Sequence, residues 1–548
     1  MFKRRLRRTG NRSLIGASCR QFADEFTTKR IAWVHAQHKE VNKRTSEIRQ
    51  YGTLGMSHRI GADIECTVNE GAEHCSDPKN ELSSDGEFVR YWSRAADRLC
   101  AVAAVGRRTE EAIKRTGIGL QLSSENFSGH DLSDFPMRRC TLNRAQLYGA
   151  KLDRADLSEA NLICPGLERA SFLGAKLDFA YMHAMAAQVC NFDDASLRNV
   201  IDATGSLFHG CSMKRTRFDN AMLSGLLLYQ CDASDAVFDG AELQGSTINE
   251  CFLPSASFRF AKLSQVTITK THLADCSFFQ SKGDCLSIVR PTSIDGLVLQ
   301  GAHLPYLRLS KVSGRIRARA LSAPFADLHL SNLASAELEQ ADLTEARLLS
   351  VGLSDANLAG AVLNSASIHS CQLDGADLSQ ASGESISITG STMRAAKLTG
   401  FRGRCAFVRD CDLEHADLSQ AYLYRSMITG DPPQSMALGH ANLEGSNLVQ
   451  AYLAAGMTDS NLEATRAAYV RMNQSSLRDT NLSGISPFQA SFVKVDFSGA
   501  KITTFEPPFF ADRCRGLQVA LEGDQLSEPS NYLAELSKLM RRGREGST

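Results

Sequence analysis

Between residues 331 and 378 a large apolar residue recurs at every fifth position: Leu333, Leu338, Leu343, Leu348, Leu353, Leu358, Leu363, Ile368, Leu373 and Leu378. Two positions before most of them stands a small residue, as at Ala336, Ala341, Ala346, Ala356, Ala361, Ala366 and Ala376. A period of five fits neither the 3.6-residue helix nor the two-residue alternation of a strand. It predicts a chain that turns once every five residues. The small and large members of a unit are two apart, so they share one side of a short extended segment, and both face inward. The residues that follow, often Gly, Asp, Asn or Ser, make the corner.

The frame starts by Leu122 and runs to Ile502. One extra residue slips it after Leu207, and it resumes at Met213. Phe218, Phe238, Phe258 and Phe278 recur every twenty residues, as do Cys211, Cys231 and Cys251. Four sides of five residues therefore close one square coil. Residues twenty apart stack on the next coil, where backbones about 4.8 Å apart pair in parallel. The phenylalanines are expected to form an internal aromatic column. Between Ile288 and Leu328 the frame shifts through Ile294, Leu299, Leu304 and Leu309. The stretch TGDPPQS, residues 429–435, is a second break, read as a local loop because proline brings no N–H to a ladder.

Units such as Ala155-Asp156-Leu157, Ala356-Asn357-Leu358 and Ala416-Asp417-Leu418 resemble those of the pentapeptide-repeat family. The resemblance covers residues 122–502. It implies an all-β solenoid, a right-handed quadrilateral β-helix of pentapeptide repeats, expected here with α-helical N-terminal and C-terminal caps. A rod of about 19 coils would run close to 90 Å at about 4.8 Å per coil. The expected organisation is a polar, basic, largely disordered region at 1–85 and a helical cap at 86–120. The β-helix follows at 121–503, with an irregular insert near 310–325, and then a tail at 504–548 with a second helical cap. Helical spacing of Phe88, Trp92, Ala95, Leu99, Val102 and Val105 marks the first cap. Tyr532, Leu533, Leu536, Leu539 and Met540 mark the second, with capping preferred over dimerisation.

Composition narrows the function classes. Lys plus Arg and Asp plus Glu balance at 61 each, so neither nucleic-acid nor membrane binding is written into the overall charge. Residues 1–60 alone are basic, with 14 Lys/Arg against 4 Asp/Glu. No apolar run approaches the roughly 18–20 residues of a membrane span, and peripheral membrane association stays open. The basic start lacks the apolar core of a secretory signal. Eight of the 16 cysteines (Cys140, Cys190, Cys211, Cys231, Cys251, Cys276, Cys371, Cys411) take the small-residue position. They read as compact buried hydrophobes in a reducing compartment. A soft-metal ladder is the weaker alternative for the column of three.

No HExxH, Walker loop, GxSxG or paired CxxC occurs, and an interior filled by Leu, Phe and Ala leaves no substrate cavity. No enzyme, cofactor or metal site is expected. Arg315, Arg317 and Arg319 alternate with Ile316 and Ala318, so an extended segment would align them as a partner-binding stripe for phosphate or an acidic surface. The preferred alternative is a solvated loop or hairpin bulging from the coil. The expected function is a non-enzymatic scaffold that binds protein partners over an extended surface, as a monomer or as a dimer through a terminal helix. The layout is similar to type III secreted pentapeptide-repeat effectors, which implies a cytoplasmic protein or one delivered into a host cell without a cleaved signal. One alternative is a DNA mimic binding a topoisomerase such as DNA gyrase, disfavoured by near-neutral charge. Another is an accessory β-helix protein of a ubiquitin-ligase-like effector, disfavoured because only about 46 residues follow Ile502. Local function is expected where the repeat fails, at residues 311–324, 429–435 and the two ends.

Overall fold

The computed structural model describes residues 119–503 and 509–517. The capping helices expected near residues 87–116 and 530–542 lie outside the described residues. Contacts divide the chain into two units, Met1–Leu99 and Cys100–Thr548, and the described residues belong to the second.

Each coil has four sides. One side carries a short strand, and these strands form an 18-stranded parallel sheet reaching from Gly166–Glu168 to Phe510–Asp512. The other three sides pair through single parallel bridges, such as Gly352↔Gln372, Glu337↔Asn357 and Asp342↔Val362. Small and large members of each unit are buried together, as with Ala336 and Leu338 or Ala376 and Leu378. The phenylalanine column is present: Phe218, Phe238 and Phe258 stack at 4.8 Å and Phe258 on Phe278 at 4.7 Å, all with nearly parallel planes. Burying each ring is worth roughly 1.5–3 kcal/mol.

The backbone of one unit shows why the motif reads as it does. The central Leu338 N–H donates to Asn357 O of the next coil at 2.7 Å, and Asn357 N–H returns to Ala336 O at 2.9 Å. Gln340 N–H donates to Ala359 O at 2.9 Å, and Ala341 N–H closes the turn on Leu338 O at 3.0 Å. Gln340 has φ +56°, the conformation that a type II turn requires at its third residue. One N–H per unit is left over, on the residue after the central one. Asp or Asn before the central residue captures it: Asn357 Oδ1 accepts from Ala359 at 3.0 Å, Asp377 Oδ1 from Ser379 at 2.9 Å, and Asp417 Oδ1 from Ser419 at 3.0 Å. The polar letter of the motif is therefore a backbone cap.

The corner after the strand side differs, and it explains most of the repeat cysteines; Cys140 and Cys276 stand at other corners and close their turns on Met137 O and Leu273 O at 3.2 Å. After the strand side the turn-closing bond is replaced by a side chain from the next coil. Cys231 N–H points to Cys251 Sγ at 3.5 Å, Cys251 N–H to Thr271 Oγ1 at 3.3 Å, and Cys371 N–H to Ser391 Oγ at 3.0 Å. Cys231 Sγ–H in turn donates to Phe208 O at 3.3 Å. The expectation of Cys as a small buried hydrophobe holds for size and burial, but these thiols also supply hydrogen bonds that alanine lacks. Burial pushes the thiols of Cys140 and Cys276 up to about 12 and that of Cys411 up to about 11, so they stay protonated.

Two expectations of register are corrected. Phe208, not Leu207, faces inward, because Ala187 pairs with Phe208 and the extra residue falls earlier, around half-exposed Ile201. Phe208 then packs edge-on against Phe192 and Phe218. Residues 310–325 form no bulge. Ser287 pairs with Arg308 after 21 residues and Arg308 with Asp327 after 19, so one insertion and one deletion cancel. Val312, Ile316, Ala318, Leu321 and Ala323 are buried in sequence, and Ile316–Arg317 pairs with Leu297–Val298.

Size compensation occurs inside the coil as well. Gly383 and Gly403 stand where large residues belong, and Phe401 between them stands where a small one belongs. A Cβ on Gly383 would lie 2.5 Å from Phe401 Cζ, so the ring occupies the glycine's vacated space. At Gly283 the constraint is backbone: a Cβ would lie 2.4 Å from Ser264 N.

Replacing Ser391 by Ala leaves the buried Cys371 N–H without an acceptor and is expected to cost about 1–3 kcal/mol. Ser391→Cys should recover most of that loss in chemical denaturation. Equal stability of the Ala and Cys variants would show that the acceptor is not used.

Candidate interaction surface

With small and large residues turned inward, the lumen is filled mainly by apolar side chains. An apolar cavity among Ile388, Phe401, Val408, Leu413, Leu418 and Leu423 measures about 20 Å³ and presents no polar group. That is room for one water, not for a substrate. Chemistry, if local, is confined to the outward positions.

Those positions are organised by the same twenty-residue stacking. Ion pairs form between equivalent corners of neighbouring coils: Arg154 with Asp134 at 2.7 Å, Arg215 with Asp194 at 2.6 Å, Lys270 with Glu250 at 3.0 Å, and Arg139 with Glu159 at 2.7 Å. Hydrogen bonds from Arg139 and Arg138 hold the Glu159 carboxyl below its ordinary range, and Arg215 does the same for Asp194. Exposed and screened by solvent, each pair adds little to stability, but along the rod they set cation against carboxylate on successive coils.

The three candidate arginines lie within this pattern. Arg315 pairs with Glu337 at 2.6 Å and Arg319 with Glu339 at 3.5 Å, both on the next coil. Arg317 is exposed and forms no ion pair among the described residues. The arginines are thus brought to one region, with two of the three charges already answered by carboxylates.

A feature absent from the sequence reading is a cationic and aromatic cluster. Phe260 and Phe279 meet edge-to-face at 5.9 Å, and the Arg259 guanidinium lies 5.8 Å and 5.5 Å from their ring centres. On another side Phe252 stacks on His272 at 4.8 Å. Phe252 and Phe260 are 47% and 52% exposed. Seven of the fifteen exposed large hydrophobic residues fall between Phe179 and Phe260, so this stretch is the least polar part of the described exterior. The signal was present as large aromatics at corner and outward positions, where the repeat itself requires none.

The break at 429–435 is an additional segment inside one coil, since Met427 pairs with Tyr452 after 25 residues. Pro433–Ser435 forms a single 3-10 turn. Asp410 anchors it: Oδ1 accepts from the Asp431 N–H at 2.8 Å and from the Ser435 hydroxyl, and Arg409 pairs with the Asp410 carboxylate at 3.1 Å. The Ser435 hydroxyl, then the Asp431 N–H and Arg409, lower the Asp410 carboxyl below its ordinary range. A lowered carboxyl contributes above the unfolded value and loses that contribution as pH falls through the folded one. Asp410→Asn is therefore expected to speed amide exchange at Asp431 at neutral pH, with the wild type matching it only under strong acid. Identical exchange in both proteins at neutral pH would remove Asp410 as the anchor.

The pentapeptide-repeat family model matches eight copies over residues 140–178 and 353–380. No curated protein matches the chain in sequence. Among solved structures, HetL of the cyanobacterium Nostoc sp., a pentapeptide repeat protein involved in heterocyst differentiation regulation, is 22% identical over 38% of this chain and 87% of its own, with a TM-score of 0.15. QnrB1, a plasmid-mediated fluoroquinolone resistance protein, is 16% identical over 42% of this chain and 93% of its own, with a TM-score of 0.17. A pentapeptide repeat protein of the Arabidopsis thaliana thylakoid lumen is 20% identical over 25% and 71%, with a TM-score of 0.09. The segments 140–178 and 353–380 are thus pentapeptide repeats, and the same five-residue unit builds the four-sided coil across the described residues.

Proposed function

We propose that the protein is a non-catalytic scaffold that binds protein partners along the outside of its β-helix. The observation that carries this reading is the division of labour in each unit. Inward positions are filled by packing, while outward positions are displayed in register on consecutive coils and vary without disturbing the ladder. The Arg259–Phe260–Phe279 cluster is the anchor, because exposed aromatics and arginine supply most of the energy at protein interfaces. Arg317 is a secondary contact for an acidic partner. A DNA-mimic role fits less well: an imitation of a phosphate rod needs unneutralised negative charge, and the outer carboxylates of Asp134, Asp194, Glu250 and Glu337 are paired with cations.

The buried repeat cysteines Cys140, Cys190, Cys211, Cys231, Cys251, Cys276, Cys371 and Cys411 form no disulfide, which favours a reducing compartment. No helix among the described residues is long and apolar enough to cross a membrane. We place the protein in the cytoplasm, either of its own cell or of a host into which it is delivered.

For a partner recovered by proximity labelling and then purified, Arg259→Ala/Phe260→Ala/Phe279→Ala should weaken the binary complex at least tenfold with an unchanged melting temperature. Undiminished binding would remove the cluster from the interface. Delivery is tested separately by fusing residues 1–85 to a reporter in a strain with a type III secretion system. Retention of the reporter would exclude that route.

A further inference from the structure

We propose that His415, His440 and Glu414 bind one divalent transition-metal ion across two consecutive coils. His415 and His440 occupy equivalent corners, each in the left-handed conformation, with φ +61° and +55°. His415 N–H donates to Gly439 O and His440 N–H to Thr458 O, both at 2.9 Å, so the ladder holds the two residues one above the other. Their imidazoles stack with centres 4.8 Å apart and planes 9° apart. Glu414 precedes His415 and points outward from the same corner. One ligand atom from each of the three lies within 4.8 Å of the others.

A pair of histidines at such corners has an ordinary explanation, since His tolerates this backbone conformation better than most residues. What singles out this pair is the third ligand and the way it is held. Arg394 grips Oε2 of Glu414, leaving Oε1 as the remaining carboxylate oxygen. Arg394 also pairs with Asp412 at 2.9 Å. The guanidinium is shared between Asp412 and Glu414, and Oε1 of Glu414 is the oxygen left to face a cation. This is the arrangement in which a second group orients a ligating carboxylate.

Two imidazole nitrogens and one carboxylate oxygen suit zinc, nickel or copper and not calcium or magnesium, which select all-oxygen sites. With bonds of about 2.0–2.1 Å, a tetrahedral ion needs ligand atoms about 3.3 Å apart. Both histidines are exposed, so side-chain rotations that tilt the rings out of their parallel stack can turn one nitrogen of each toward a common ion. The fourth position would be taken by water. The site lies on the coil that accommodates the extra segment at 429–435, so a bound ion would clamp that coil to the one before it. This inference is independent of the partner-binding surface proposed above.

The test uses the full chain under reducing conditions and compares it with His415→Asn/His440→Asn, which keeps residues tolerant of the corner conformation. Zinc titrated by calorimetry should show one more equivalent in the wild type than in the variant, and Glu414→Gln should weaken that equivalent at least tenfold. The cysteines elsewhere are a competing source of metal binding. Cobalt(II) separates the two, because a site of nitrogen and oxygen ligands adds ligand-field absorption without a thiolate charge-transfer band. Equal stoichiometry in wild type and variant would overturn the proposal. So would an extra equivalent whose cobalt spectrum is that of thiolate, or one found only in a dimer by sedimentation. Without metal, the circular dichroism and melting temperature of the variant should match the wild type. If they do not, His415→Asn alone is used, which should still abolish the extra equivalent.

Discussion

Every coil must turn four times, and at nearly every turn a residue enters the left-handed backbone region that L-amino acids normally avoid. Outside glycine this costs on the order of 1 kcal/mol per position. The chain places Gln340, Glu345 and Asp355 there, and even Phe179, Tyr306 and Leu330. A single such corner would not persist alone. It persists because the N–H of the corner residue reaches the next coil, as Gln340 does to Ala359 O at 2.9 Å, and because the two residues before and after it are fixed by the ladder and the lumen. The strained corner and the inter-coil hydrogen bond therefore depend on each other, and the rest of the structure depends on both.

From that dependence follows the separation of inside and outside. The lumen admits one large and one small residue per side. Where the order is violated, as at Gly383, Phe401 and Gly403, neighbouring positions compensate in volume. N–H groups that the ladder cannot reach are met by side chains: Asp or Asn for part-buried or exposed ones on many sides, and Cys, Ser or Thr for the buried one at the corner after the strand. Much of the polarity and nearly all of the repeat cysteine in this protein is thus structural.

The outward positions carry what freedom remains. Stacking in register pairs opposite charges between coils, leaving a surface that is charged residue by residue and close to neutral as a whole. Against this background the exposed aromatics around Arg259 and the histidine pair at 415 and 440 stand out, since neither is needed to build a coil.

The five-residue spacing of leucines was enough to specify the fold, because only a coil turning every five residues buries all of them. The alternation of Ala and Leu likewise identified the inward side, and the phenylalanine and cysteine series revealed the twenty-residue coil. Sequence could not assign Phe208 over Leu207, since both are large, apolar and adjacent; pairing with Ala187 decides it. Nor could it show that residues 310–325 stay in the coil, because an insertion and a deletion that cancel look locally like a broken pattern. The same limit applies to Arg315 and Arg319, whose partners Glu337 and Glu339 are about a coil away in sequence. It applies as well to His415 and His440, which are 25 residues apart until the added segment is looped out. Periodicity reports what each residue faces along its own coil. Which side chains touch across coils depends on the running count of insertions, and only the tertiary structure keeps that count.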